Sequence, residues 1–158
     1  MNTSNMHHMP SELGCIYRNA TIEDLDDIMT INDQFDLKWT HDKFMEVFDN
    51  KIPLILAFKQ DGTLVGYLVY FCVLDEGRII NIAIDKEHHG KSYGRRLIHY
   101  SLEEMYNMNM HYALLDVKTD NFPAVGLYTA MGFQILCRRP NYYTGDVEGD
   151  AYFMQLRL

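Results

Sequence analysis

The chain has 158 residues, of which 47% are hydrophobic and 23% are charged. These values are typical of a globular domain and argue against disorder and collagen-like repeats. The net charge of −8 argues against nucleic acid as the main partner.

The N-terminal segment and the cysteines place the chain among intracellular proteins. The first fourteen residues contain no Lys or Arg and no apolar stretch, so we expect residues 1–14 to be a flexible lead-in and residues 15–158 to be a single domain. The longest apolar run, from Leu64 to Leu74, is too short to span a bilayer. Cys15, Cys72 and Cys137 lack the spacing of a disulfide framework or a zinc site, and we expect all three to be buried. We therefore predict a cytoplasmic protein without a membrane contact.

The first half of the chain predicts two short helices between strands. A strand at 15–19 precedes a helix capped by Thr21, and Thr40 caps a second helix after a loop that contains Trp39. The runs 53–58 and 64–73 predict strands, with an Asp61-Gly62 turn between them.

The second half predicts a parallel crossover. A strand at 78–84, a long helix starting near Gly94 and an apolar strand at 113–117 follow one another, so the two strands should be parallel. Asp120 is expected to cap a helix over 122–131 that ends at Gly132. Strands near 133–138 and 151–156 complete the chain.

The polar segment between strand 78–84 and the long helix has the features of a phosphate-binding loop. A helix N-terminus carries unpaired N–H groups and a partial positive charge. Bases concentrate here with Glu87 as the nearby acid: Lys86, Lys91, Arg95 and Arg96. The glycine spacing is that of neither a Walker loop nor a dinucleotide-binding loop. The alternative is an ordinary strand–helix turn with solvated bases.

Several motifs together resemble the GNAT superfamily of acetyltransferases. His89–Gly94 stand where that family has Q/R-x-x-G-x-G/A, with His at the first position and Ser92 in place of the middle glycine. More specific matches follow: Asn81-Ile82-Ala83-Ile84, Leu115-Asp116-Val117, Asp120-Asn121, Leu127-Tyr128, Gly132-Phe133 and Asn141-Tyr142-Tyr143. From about residue 16 onward the chain is most similar to the bacterial ribosomal-protein-alanine N-acetyltransferases.

The resemblance implies an α/β GNAT fold and an acetyl-CoA-dependent reaction without a metal. That fold has a mixed seven-stranded sheet, with parallel, splayed strands 4 and 5, and four flanking helices. Acetyl-CoA would be held by Ile82, Ala83, Ile84, Gly90, Lys91, Ser92, Tyr93, Gly94, Arg95 and Asn121.

The chemistry and the acceptor site also follow from the resemblance. Tyr128 would donate a proton to the departing thiolate, and Asp116 would face the incoming amine. The related enzymes have Glu at the position of Asp116, so a water molecule or His111 is an alternative base, and a purely structural aspartate is another. Trp39, Tyr142 and Tyr143 would contact the acceptor.

Three functions remain open at the level of sequence. The first is acetylation of the N-terminal α-amine of a protein, such as a ribosomal protein. The second is acetylation of a small amine such as a polyamine or an aminoglycoside, and the third is a non-catalytic acetyl-CoA-binding module. We expect a monomer or a weak homodimer.

Overall fold

The computed structural model describes residues 14–158, so the predicted lead-in lies outside the described residues except for Gly14. The helices are α1 (Leu25–Asn32), α2 (His41–Asp49), α3 (Tyr93–Asn107) and α4 (Phe122–Ala130). The strands are β1 (Ile16–Asn19), β2 (Leu54–Phe58), β3 (Leu64–Val73), β4 (Glu76–Ile84), β5 (Tyr112–Lys118), β6 (Gln134–Tyr143) and β7 (Gly149–Arg157). Short 3₁₀ turns, Ile22–Asp24 and Lys86–His88, precede α1 and follow β4.

The strands form one mixed sheet in the order β1-β2-β3-β4-β5-β7-β6. Neighbouring strands are antiparallel, except that β4 and β5, which α3 connects, are parallel. The seven-stranded GNAT fold predicted from the sequence is therefore confirmed. Among residues 14–158, no helix is both long enough and apolar enough to cross a bilayer.

Two apolar cores cover the two faces of the sheet. On one face α3 and α4 pack Leu97, Ile98 and Tyr128 into a core with β2, β3, β4, β5 and β7. On the other face α1 and α2 pack Ile28 and Phe44 against β2, β3 and β4. Each helix is held by burial of one apolar stripe, which supplies most of the stability of short helices.

Local signals determine where most elements begin and end. The Thr40 hydroxyl accepts a hydrogen bond from the Lys43 N–H at 3.2 Å and caps α2. Gly132 has a φ of +102° just after α4, as expected for the residue that ends a helix.

The predicted cap of α4 is wrong. Asn121, not Asp120, caps this helix, since its side-chain oxygen accepts from the Ala124 N–H at 3.3 Å. The helix begins at Phe122, so residue 121 holds the capping position. The Asp120 carboxylate instead pairs with Lys118 at 2.7 Å.

Two further expectations need correction. Cys137 is exposed on the edge strand β6, whereas Cys15 and Cys72 are half-buried. The C-terminal hairpin is also longer than predicted, because β6 runs through the polar stretch 138–143. Its pairing with β7 is irregular between Arg139 and Tyr143, which hides the alternation expected of a strand.

The parallel strands β4 and β5 separate soon after they meet. Their pairing covers Glu76–Arg78 of β4 and Tyr112–Leu114 of β5. The register between β3 and β4 shifts where Val69 pairs with Asn81 and Tyr70 with Ile79, so Ile80 is the extra residue of a β-bulge. Bulges bend a strand and increase its twist. The remainder of β4 therefore diverges from β5 and leaves a gap in the middle of the sheet.

Candidate active site

A cavity of about 820 Å³ opens where β4 and β5 diverge. Its walls come from the two strands, from α4, from the loop between α1 and α2, and from the loop between β6 and β7. Six residues singled out from the sequence line it: Trp39, Ile82, Asp116, Asn121, Tyr128 and Tyr143. The fold thus brings together residues that lie up to about a hundred positions apart in the chain.

Tyr128 lies in the wall that α4 contributes. Its side chain is buried, and its ring packs edge-to-face on Phe133 with centroids 5.8 Å apart. Burial, followed by the nearby Tyr143, raises the pKa of Tyr128 to about 12. The hydroxyl therefore keeps its proton through the neutral range and can donate it to a group in the cavity.

Asp116 lies in the cavity wall inside a cluster of charged side chains. Its carboxylate accepts hydrogen bonds from Arg78 and, at 3.3 Å, from the Tyr142 hydroxyl. Arg139 lies on the other carboxylate oxygen, with Nε 3.0 Å from Oδ1, in an ion pair that lacks the alignment of a hydrogen bond. The Asp116 side chain is only 6% exposed.

The α1–α2 loop, which forms another cavity wall, is fixed by the buried Asn32. The Asn32 amide donates to the Trp39 carbonyl at 2.8 Å and accepts from the Trp39 N–H at 2.9 Å. The Tyr67 hydroxyl donates to the same amide oxygen at 3.3 Å and accepts from Asn81 at 3.3 Å. This network connects the α1–α2 loop, where Trp39 is predicted to contact the acceptor, to β4, the strand that carries the bulge.

The loop after β4 has the backbone of an anion-binding site. Gly90 and Ser92 adopt left-handed conformations, with φ of +74° and +65°, just before α3 begins at Tyr93. Left-handed residues next to helical ones form concavities of N–H groups that bind anions. The Ser92 side chain makes no capping hydrogen bond, and Lys91 and Arg95 are exposed beside the helix N-terminus. These residues fit a phosphate group, whose charge a helix N-terminus favours.

The side chains of His89 and Gln34 hold the same loop in place. His89 Nε2 lies 2.7 Å from the Ile84 carbonyl oxygen. The Gln34 side chain donates to Asp85 at 3.2 Å and accepts from the Lys86 N–H at 2.9 Å. The segment after α1 is thereby joined to the start of the loop after β4.

Some residues proposed from the sequence lie outside the cavity lining. Tyr142 reaches Asp116 with its hydroxyl, while its ring packs against Tyr143, with centroids 5.0 Å apart. His111, the alternative base, lies at the opposite end of β5, where its ring pairs with Asp75 at 3.3 Å. Ala83 is buried in the core under α1 and α2, so its side chain is not available to a ligand.

Sequence reasoning missed two residues that shape the site. Arg78 is the third residue of β4, directly before the apolar pair Ile79-Ile80. Its place in a strand was a usable signal for a partner, because a partly buried charge rarely stays unpaired. Gln34 gave no signal, because its contacts are with residues 51 and 52 positions later.

Comparisons with known proteins agree with this geometry. The sequence profile described as "Acetyltransferase (GNAT) family" matches residues 19–133. A Bacillus subtilis (strain 168) protein provisionally named [ribosomal protein bS18]-alanine N-acetyltransferase is 37% identical over 143 residues, which cover 89% of this chain and 94% of the relative. The Escherichia coli (strain K12) [ribosomal protein bS18]-alanine N-acetyltransferase is 33% identical over 100 residues, covering 63% of this chain and 68% of that protein.

A solved structure gives the same result for the fold. The crystal structure of the ribosomal-protein-S18-alanine N-acetyltransferase from Escherichia coli superposes with a TM-score of 0.82 at 26% identity, covering 90% of this chain and 93% of that one. The sequence profile, the curated relatives and the splayed sheet all lead to one conclusion. This chain belongs to the GNAT family of acetyltransferases.

Proposed function

We propose that this enzyme transfers the acetyl group of acetyl-CoA to the N-terminal α-amine of a protein, such as a ribosomal protein. The observation that carries the proposal is the cavity between β4 and β5. Tyr128 lies on its α4 wall, Trp39 lies in the α1–α2 loop, and Tyr143 lies at the end of β6. The names of two relatives, both [ribosomal protein bS18]-alanine N-acetyltransferases, support a protein N-terminus as the acceptor.

In this proposal acetyl-CoA supplies an activated acetyl group as a thioester. Residues Gly90 to Arg95 bind its pyrophosphate through backbone N–H groups and the basic side chains. Along Ile82, Ala83 and Ile84 the backbone polar groups point alternately to β3 and to the gap left by the divergence of β5. Those on the gap side that no other group occupies would bind the amide-containing arm of the coenzyme. Asn121, at the start of α4, lies on the same side of the cavity.

The chain's own groups then assist a direct transfer. An α-amine has a pKa of about 7.7–8.0, so roughly 10–20% is neutral near pH 7. The lone pair of the neutral nitrogen forms the new N–C bond while the C–S bond breaks. Backbone N–H groups of β4 stabilise the negative charge on the carbonyl oxygen. Tyr128 donates its proton to the departing sulfur. The proton lost from nitrogen passes to water, and Tyr128 regains a proton from water.

A second candidate is a small cationic amine. It is favoured by the three aspartates that line the acceptor side of the cavity, Asp33, Asp36 and Asp146. Their negative charge attracts an ammonium group whether or not it belongs to a peptide.

The two candidates are separated by incubating the enzyme with acetyl-CoA and a mixed acceptor set, followed by mass spectrometry. The set contains short peptides with free or blocked N-termini, each with and without lysine, together with polyamines and an aminoglycoside. Acetylation of free N-termini alone supports the protein acceptor. Acetylation of the small amines without any peptide product overturns it in favour of the second candidate.

A further inference from the structure

The charged cluster around Asp116 leaves this carboxylate little room to act on the substrate. A carboxylate offers about four lone-pair positions. Arg78, Arg139 and the Tyr142 hydroxyl lie against its two oxygens, and only 6% of the side chain is exposed. Both hydrogen bonds fall on Oδ2, and Oδ1 makes only the ion pair with Arg139. A proton arriving at Asp116 would cancel its charge and weaken its pairing with both guanidinium groups.

The cluster joins four strands of the sheet. Arg78 is on β4, Asp116 on β5 and Arg139 on β6. Phe153 of β7 is the cross-strand neighbour of Asp116. Both guanidinium groups lie over its ring, at 5.9 Å for Arg78 and 4.3 Å for Arg139. Each cation therefore contacts both the Asp116 carboxylate and the Phe153 ring, which restricts its position.

The same cluster contacts the irregular end of β6. Beyond Arg139 the regular pairing with β7 is interrupted until Tyr143, and Asn141 has a strained φ of +51°. Tyr142 is tied to Asp116 by its hydroxyl and packs on Tyr143, which lines the cavity. A second carboxylate, Asp150, ties Arg138 and the Asn141 N–H at 2.8 Å each. The position of the acceptor-side tyrosines thus depends on these two carboxylates.

We propose that Asp116 is a positioning residue rather than the general base. It holds Arg139 and Tyr142, and through them it fixes the β6–β7 loop and Tyr143 against the cavity. Two arginines share one carboxylate in this cluster, so protonation of Asp116 would leave both guanidinium groups without this anionic partner. The kinetic part of this inference rests on the proposed function, and the structural part does not.

The structural part is tested by amide hydrogen exchange on the enzyme without substrate. Asp116→Asn and Arg139→Gln each remove one charge. Each should speed amide exchange in residues 139–149 by roughly tenfold, the factor expected when one hydrogen bond to a charged group is lost. Arg18→Gln is the matched control, because it breaks an arginine–aspartate pair with contacts of 2.7 and 2.8 Å at the far edge of the sheet. It should leave exchange in this loop unchanged. Unchanged exchange in Asp116→Asn overturns the inference.

The kinetic part compares the same variants on an acceptor peptide. A positioning role predicts that Asp116→Asn and Arg139→Gln each raise the KM for the peptide by roughly tenfold. It also predicts that kcat changes little, that its pH profile keeps its shape, and that the double variant is no worse than either single variant. A loss of kcat of about 100-fold or more in Asp116→Asn alone would identify a general base and overturn the inference.

If the charge variants do not fold, Tyr142→Phe takes their place, because it removes one hydroxyl contact with Asp116 without changing charge. It should raise the exchange rate in residues 139–149 by a smaller factor. If the wild-type enzyme acetylates no peptide, the proposed function fails, while the exchange experiment still decides the role of Asp116.

Discussion

Tyr128 is the single side chain on which the proposed transfer depends most. A thiolate leaves more readily when it receives a proton as the C–S bond breaks, and a donor must still hold its proton at the working pH. Burial provides for this, because it raises the pKa of Tyr128 to about 12. The hydroxyl is then protonated across the range in which the acceptor amine loses its own proton.

Replacing Tyr128 by Phe tests this role. We expect kcat to fall by about 100-fold, the lower end of the range for a general acid, while the Kd for acetyl-CoA stays the same because the ring remains. Stopped-flow detection of free thiol and calorimetric titration with acetyl-CoA measure the two quantities. Tyr106→Phe on α3 serves as the control, since Tyr106 is not in the cavity lining. An unchanged kcat in Tyr128→Phe would remove the residue from the chemistry.

At the scale of elements, α4 serves both the fold and the site through its first residues. Asn121 satisfies the Ala124 N–H with its side-chain oxygen and also lines the cavity. Its oxygen is occupied by the helix, which leaves the amide nitrogen to face a ligand. In the proposed complex, the structural and the binding roles of this residue would therefore belong to different atoms.

Two substitutions at position 121 separate these roles. Asn121→Asp keeps an oxygen that can cap α4 and adds a charge that a helix N-terminus favours, so stability in urea should be retained. Asn121→Ala removes the cap and should lower the free energy of unfolding by about 1 kcal/mol. Both variants lack the amide donor, and both should bind acetyl-CoA more weakly in calorimetric titration. Native affinity in the aspartate variant would show that the amide nitrogen makes no contact with the coenzyme.

Local sequence signals predicted these elements well, and long-range contacts explain the rest. Thr40 and Gly132 mark helix ends because a cap or a left-handed residue acts within a few positions. Asp120 and Asn121 are adjacent residues of similar capping strength, so the sequence could not decide which one leads the helix. The role of Arg78 depends on Asp116, which lies 38 positions later, and no periodic pattern encodes such a pairing.

The protein should lose stability in alkali, because several of its tyrosines are buried. Burial is the main cause that raises the pKa of Tyr128 and Tyr143 to about 12. It raises the pKa of Tyr17, Tyr67 and Tyr70 further. An unfolded tyrosine ionises near pH 10. The stability contributed by these neutral side chains is therefore complete below about pH 10 and is lost as the pH rises through their folded values.

Alkaline unfolding should accordingly coincide with tyrosine ionisation. We expect the unfolding midpoint in urea to fall steeply between about pH 10 and about pH 12. Tyrosinate absorbance should rise in the same transition as the loss of circular dichroism. If most tyrosines ionised near pH 10 with the circular dichroism intact, these side chains would be accessible to solvent.

The position of Trp39 gives the enzyme a built-in optical reporter. It is the only tryptophan in the chain, it lines the cavity from the α1–α2 loop, and both of its backbone polar groups are bonded to Asn32. The indole emission of the unlabelled protein therefore comes from one site, which the backbone holds in place. A change in its intensity or wavelength on adding acceptor follows the filling of this cavity directly, without a dye and without turnover.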